Sequence, residues 1–344
     1  MKRFIAGCLI LLLVQIGLVA AVHVMDRAGT GQPGKGPLFA FNAADIDEAL
    51  LEDSEGHHLA LKKDQGRWLL PEAGSFPADS GKVQGLIDRL AGIQRGWPEA
   101  TTAGAADRFK VAPGAYVRKL NLLTGGTARA IIYFGSSPGL RKMYCRGDND
   151  PDIHSLTLSQ HELEMTTDSW IDTKILHLKP EQIKRIDLSG LRLERGEGGL
   201  APADLAAGEE VVTEQRDGLV NRLAGLTINS ILGAKDEPEY GLGTPVLRCT
   251  VELDNGMAVE YIFGQPQKPA KPAGKDGTMP PPVPDEQPFV LKVSNQEQLF
   301  RVDGWQVNEL KNAARSSLVR AKTPSPAAAT PLPEPVGQPE KQTK

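Results

Sequence analysis

Gly135-Ser136-Ser137-Pro138-Gly139 fits G-x-S-x-G, the pattern in which a hydrolase raises its serine nucleophile on a sharp strand-to-helix turn. That chemistry needs the helix after the serine to support the oxyanion hole. The residues after Gly139 read as strand instead. A hairpin turn over residues 136–140 is therefore the expectation, and Ser137 is not read as a nucleophile. Asp148-Asn149-Asp150-Pro151-Asp152 opens like a calcium loop, but Ile153 stands where glycine is needed and Ser159 where a bidentate glutamate is needed. An acidic turn is the reading. His161-Glu162-Leu163-Glu164-Met165 begins as H-E-x-x-H and ends on methionine, one ligand short of a zinc protease. His57 and His58 flank the start of a strand and are read as solvated side chains. No dinucleotide or P-loop glycine pattern is present. The expectation is a non-enzymatic chain with no catalytic, cofactor-binding or metal-ligating residue. The four tryptophans, Trp68, Trp97, Trp170 and Trp305, are read as core anchors rather than as a binding surface.

The elements around these residues occur twice. Leu86-Ile87-Asp88-Arg89-Leu90-Ala91-Gly92 returns as Leu219-Val220-Asn221-Arg222-Leu223-Ala224-Gly225. Phe109-Lys110-Val111 returns as Tyr240-Gly241-Leu242, and Ile131-Ile132-Tyr133-Phe134-Gly135 as Glu260-Tyr261-Ile262-Phe263-Gly264. The spacing shrinks slightly from match to match, which is what small deletions in loops of a duplicated unit produce.

The periodicities give each copy a layout. In the first, short strands are expected at 46–53, 59–63 and 68–71, then an amphipathic helix at 79–94 with Val83, Leu86, Ile87, Leu90 and Ile93 on one face. A meander follows at 117–122, 128–134, 142–146 and 153–158, with a helical tail through Trp170 and Ile171. In the second, strands are expected at 183–188 and 191–194 and a helix at 213–226. The meander is at 247–253, 258–263, 289–293 and 299–302, with a closing helix at 305–314. The fold class is α+β: an N-terminal transmembrane helix followed by two tandem similar repeats, each an antiparallel sheet packed with an amphipathic helix.

At 344 residues the chain holds two domains of ordinary size, and a net charge of −4 argues against a nucleic-acid partner. Lys2 and Arg3 precede an apolar run, residues 4–22, broken only by Gln15. As a helix it would span about 28 Å, close to the hydrocarbon thickness of a bilayer. An uncleaved anchor is the reading, with the amino end in the cytoplasm and the bulk outside. The expected boundaries are an anchor at 1–24, a linker at 25–37, repeats at 38–179 and 180–319, a proline-rich loop at 265–288, and a disordered tail at 320–344. Cys145 and Cys249 fall at non-equivalent points of the repeats and are read as buried thiols.

Several motifs carry a family likeness: Arg67-Trp68-Leu69-Leu70, Pro77-Ala78-Asp79, Gly96-Trp97-Pro98, Arg108-Phe109-Lys110-Val111, Tyr133-Phe134-Gly135-Ser136-Ser137-Pro138-Gly139, Asp168-Ser169-Trp170-Ile171-Asp172 and Glu239-Tyr240-Gly241-Leu242-Gly243-Thr244-Pro245. With them, residues 38 to 315 resemble the bacterial family called domain of unknown function 4340 (DUF4340). The resemblance implies an exported protein with one amino-terminal anchor and no catalytic motif. It also implies an accessory role beside ABC-type transporter components of the kind linked to gliding. The functional expectation is a bacterial inner-membrane, single-pass protein whose periplasmic bulk meets a protein partner. The alternative is an extracytoplasmic small-molecule or glycan-binding module that uses the cleft between repeats.

Overall fold

The computed structural model describes residues 12, 14–19, 36–266 and 287–322. Most of the apolar run 4–22, most of the linker, the greater part of the proline-rich loop and the tail beyond 322 lie outside the described residues. Among the described residues no helix is long and apolar enough to cross a membrane. The chain is a sheet-rich α+β protein with few helices, and it divides into two compact units, Met1–Ile175 and Leu176–Lys344.

Unit 1 contains β1 (Glu48–Asp53), β2 (His58–Asp64), β3 (Arg67–Leu70), β4 (Phe76–Pro77), α1 (Ser80–Gly92) and α2 (Ala103–Phe109). It continues with β5 (Val111–Ala112), β6 (Ala115–Tyr116), β7 (Arg118–Thr124), β8 (Thr127–Phe134), β9 (Met143–Gly147) and β10 (His154–Leu156). Its main sheet is antiparallel, in the order β10-β9-β8-β7-β1-β2-β3-β4. Strand alternation sends Ala49, Leu51, Leu59, Leu61, Leu120, Leu122, Ile132 and Phe134 to one face, all buried. Val83, Leu86, Ile87 and Leu90 of α1 are the buried stripe of that helix. Asp79 caps it by accepting the Lys82 N–H at 2.9 Å, and the Trp68 N–H donates to Ser80 Oγ at 3.1 Å, tying β3 to the helix start.

Unit 2 contains β11 (Ile183–Leu188), β12 (Leu191–Gly196), β13 (Gly199–Pro202), β14 (Glu209–Val211), α3 (Thr213–Ala224), β15 (Ser230–Gly233) and β16 (Leu247–Leu253). After it come β17 (Ala258–Gly264), β18 (Phe289–Val293), β19 (Leu299–Val302), α4 (Gly304–Lys311), α5 (Arg315–Leu318) and β20 (Val319–Ala321). Its main sheet runs β13-β12-β11-β16-β17-β18-β19-β15. Both sheets therefore contain a three-strand meander whose first strand pairs with the first strand of a four-strand meander. Local hydrogen bonds match as well. The Val117 N–H donates to Phe134 O at 2.9 Å and the Val246 N–H to Phe263 O at 2.9 Å. The Asp79 N–H donates to Trp170 O at 2.7 Å and the Val212 N–H to Leu318 O at 2.8 Å.

Some elements differ from the sequence reading. The helical tail expected through Trp170 is two 3-10 turns, Gln160–Leu163 and Thr167–Ser169. Trp170 is fully buried, its indole N–H donates to Glu164 O at 2.8 Å, and its carbonyl is held by Asp79. Those fixed points hold the segment in an irregular path. Residues 320 and 321, read as tail, continue β20, which pairs with β14, and Arg320 bonds Glu210 at 2.6 Å.

One close approach recurs in the two units. A Cβ added at Gly135 would stand 2.0 Å from Phe109 O, and one at Gly264 would stand 2.2 Å from Tyr240 O. The residue after each aromatic is left-handed: Lys110 at φ 58° and Gly241 at φ 70°. Gly135→Ala and Gly264→Ala should each destabilise the chain by about 2 kcal/mol or more, because backbone must move to admit the methyl. Denaturant titration of the two variants checks this. A loss within about 0.5 kcal/mol, the range of an ordinary surface change, would remove the contact's importance.

Candidate functional site

The motifs singled out in the sequence are engaged locally. Gly135 and Ser136 pair with Tyr144, and the Lys142 N–H donates to Gly139 O at 3.2 Å, so 136–142 is a hairpin connection. Ser137 Oγ donates to Gly139 O at 2.6 Å, inside its own turn. His161 lies with Ser136, Ser137 and Lys142 along one shallow cleft, but its Nδ1 bonds Glu164 at 2.9 Å and its side chain is 91% exposed. His57 Nδ1 bonds Asp53 at 3.0 Å, and His58 Nε2 meets Glu72 at 3.2 Å. Among the described residues no group of three or more His, Cys, Asp or Glu is placed to hold a metal ion.

The acidic turn at 148–152 binds arginines. Arg95 pairs with Asp150 and, at 3.4 Å, with Asp152. Arg146, only 8% exposed, donates to the carbonyl oxygens of Val111, Gly147, Asp148 and Asp150 at 2.8–3.0 Å. Those carbonyls and carboxylates are the atoms a calcium ion would need. Burial pushes the Asp150 carboxyl up, but its bonds to Arg95 and to the Asp152 N–H hold it below its ordinary value.

A feature not read from the sequence lies on the sheet face opposite α1. Register places His58, Glu52, Lys119, Tyr133 and Arg146 side by side across β2, β1, β7, β8 and β9. Tyr116 of β6 donates to Glu52 at 2.8 Å, and Lys119 donates to it at 3.0 Å. The two bonds, Tyr116's first, hold the Glu52 carboxyl low. Burial and then Glu52 push the Tyr116 hydroxyl up to about 12. Tyr133 meets Tyr116 as a tilted ring pair at 5.7 Å, lies under Arg146 and donates to Asp148 at 3.0 Å. Glu52 is thus held by Tyr116 and Lys119, and Tyr133 by Asp148, in hydrogen-bonded pairs. Outward alternation in each strand hints at such residues, but only the cross-strand register brings them together.

The face is covered at one end by α2, β5 and β6, where Ala105, Val111, Tyr133 and Ile153 form a small second core. In unit 2 the segment through Tyr240 and Leu242 packs on Val290 and Leu299 in the same way. A sequence profile of the family described as Domain of unknown function (DUF4340) matches residues 68–245. That is 178 of 344 residues (245 − 68 + 1). The chain belongs to that family. The DUF4340 match begins at buried Trp68 and contains α1, the covering segment and Gly135, with the Tyr240-Gly241-Leu242 turn of unit 2 near its end. Glu52 and His58 lie before it. No curated protein matches the chain, and no solved structure matches it.

On the α1 face, His154 pairs with Cys145 across β10 and β9, both buried, and His154 Nε2 has no hydrogen-bond partner. Phe300 pairs with Leu291 in the corresponding strands of unit 2. Cys145 and Cys249 are free. Burial pushes both thiols up, Cys249 to about 12, so neither is a ready nucleophile.

Burial, then Arg95, lowers the His154 pKa against the pull of Asp150 and Asp152. The unfolded chain takes up that proton near pH 6.5 and the folded chain only at lower pH. Stability from His154 is thus present above pH 6.5 and lost as pH falls through that value toward the folded pKa. His154→Phe should gain melting temperature relative to the parent as pH drops from 7.5 to 5.5, and an unchanged difference would place His154 in contact with water. Ser137→Ala should leave labelling by a fluorophosphonate probe unchanged, since none is expected in the parent. Labelling that vanishes in the variant would move the chain to the hydrolases.

Proposed function

We propose that the chain is a non-enzymatic protein of the bacterial envelope, held in the inner membrane by residues 4–22, with its amino end cytoplasmic and its bulk periplasmic. It presents two copies of one α+β unit to a protein partner. The described part of the apolar run supports the anchor: Leu12 and residues 14–19 are helical, and Val14, Ile16, Leu18 and Val19 are 56–67% exposed. Seven strands follow one order in both sheets, β3-β2-β1-β7-β8-β9-β10 and β13-β12-β11-β16-β17-β18-β19, while the eighth lies at opposite ends (β4 beyond β3, β15 beyond β19). The common order and the paired glycine approaches support the duplication.

The observation that carries the partner reading is the open half of the unit 1 sheet. Ala60, Leu50 and Asn121 lie in one cross-strand row, all half-buried, and Ile131, next in that row, packs against the covered second core. Asn121 Oδ1 in that row is buried without a hydrogen-bond partner. A partner seated on this row would finish burying the half-exposed Leu50 and Ala60 side chains. The corresponding row of unit 2 is Arg192, Asp187, Thr250 and Glu260, suited to water. A ligand-binding module is the weaker reading. A cleft of about 910 Å³ in unit 2 is lined by Asp187, Arg192, Asp204, Arg248, Glu260 and Arg315, whose charges already pair with one another. The DUF4340 resemblance implies an ABC-type transport or gliding-type complex as the partner class.

The test has two parts. Carbonate-washed membranes should retain the full-length chain; release of a shortened soluble form would overturn the anchor. A photo-crosslinking residue at Leu50 should trap a discrete envelope protein, and one at Thr250 should trap none. Equal trapping at the two positions would remove the unit 1 face as the docking surface.

A further inference from the structure

We infer that Trp97 is a lipid contact that holds unit 1 against the bilayer surface, an inference that rests on the anchor reading above. Residues 23–35, 13 in number (35 − 23 + 1), join the apolar run to the described unit. Fully extended they reach no more than about 45 Å. The chain joins the unit beside the end of α1, where the Leu38 N–H donates to Ile93 O at 2.7 Å and the Arg95 N–H donates to Gly36 O at 2.9 Å. Pro37 and Gln94 form an antiparallel bridge between those bonds. Trp97 follows two residues after Arg95, and its side chain is 57% exposed.

The loop that carries Trp97 is pinned on its other side as well. The Glu99 N–H donates to Ile153 O at 2.7 Å, and the Ile153 N–H donates to Ala100 O at 2.9 Å. The indole thus projects from backbone fixed at both ends, on the strip of unit 1 to which the tether attaches. A tryptophan suits the membrane–water boundary because its ring is apolar and its N–H can bond a headgroup. Arg95, two residues before Trp97, is matched by Asp150 and Asp152, so it brings no bare charge to a zwitterionic surface; Glu99, two residues after Trp97, is exposed to water. Trp305 is also 57% exposed, but it lies on α4 of unit 2, far along the chain from the tether. Trp68 and Trp170 are buried and supply a constant background.

The full-length chain is reconstituted into phosphatidylcholine vesicles in which part of the lipid carries bromine near the headgroup. Tryptophan emission is compared with unbrominated vesicles for Trp305→Phe and for Trp97→Phe, with circular dichroism as the fold check. The inference expects bromine-dependent loss of emission in Trp305→Phe, which keeps Trp97, and no such loss in Trp97→Phe. Carbonate-resistant retention with no difference between the two variants overturns the lipid contact and leaves the anchor standing. Release of the chain by carbonate overturns the anchor, and the lipid contact with it.

Discussion

The strand-end glycine sets what each sheet can do with its second face. At Gly135 the Phe109 carbonyl comes so close that it can accept the Ser136 N–H at 3.0 Å, and no side chain fits between. That approach brings Val111 down onto Tyr133 and closes the small second core. At Gly264 a similar approach brings Leu242 onto Val290. The covering segment reaches only one half of the face. The glycine thus separates a half that packs as protein interior from a half that stays open, and it does so with backbone geometry rather than with apolar area.

What stands on the open half then differs between the units. Unit 1 places Leu50 and Ala60 beside Asn121, next to the row from His58 to Arg146. Unit 2 places ion pairs there, Arg192 with Asp187 at 2.6 Å and Arg248 with Glu260 at 3.1 Å. Exposed pairs of this kind contribute little to stability and keep a surface wet. If the two units are copies, one has kept an open face suited to contact and the other has turned that face to solvent. That asymmetry is why the partner reading falls on unit 1.

Much of the ladder was legible because buried positions alternate cleanly. The strands expected at 183–188, 247–253, 289–293 and 299–302 fall on β11, β16, β18 and β19 with those bounds. The helix after Asp79 was legible from its apolar stripe and its cap. Three things were not. The seven-residue α2 is too short for a periodicity to rise above the loop around it. The row from His58 to Arg146 depends on register, which no single strand encodes. The tryptophans split two and two: Trp68 and Trp170 are buried, Trp97 and Trp305 exposed, so the reading of all four as core anchors is corrected. Composition around a tryptophan does not say which way its backbone turns it. Trp97 sits between Gly96 and Pro98 on a loop pinned from both sides, and that backbone leaves its indole outward.

The corner after the glycine accepts connections of very different length. Between Gly135 and Met143 the connection has seven residues (136–142), and between Gly264 and Phe289 it has 24 (265–288). Closing the longer loop costs only about 1 kcal/mol more in chain entropy, since the penalty grows with the logarithm of length. Pairing on the sheet side is unaffected: Phe134 faces Cys145, and Phe263 faces Leu291. The strands and the glycine contact carry the structure up to that point, and nothing beyond it is asked to hold a geometry. Arg141 sits left-handed at φ 54° and Leu140 is 91% exposed, marks of a tip shaped by closure alone. The strand-to-helix elbow of a hydrolase needs a helix after its serine, and here strand β9 follows.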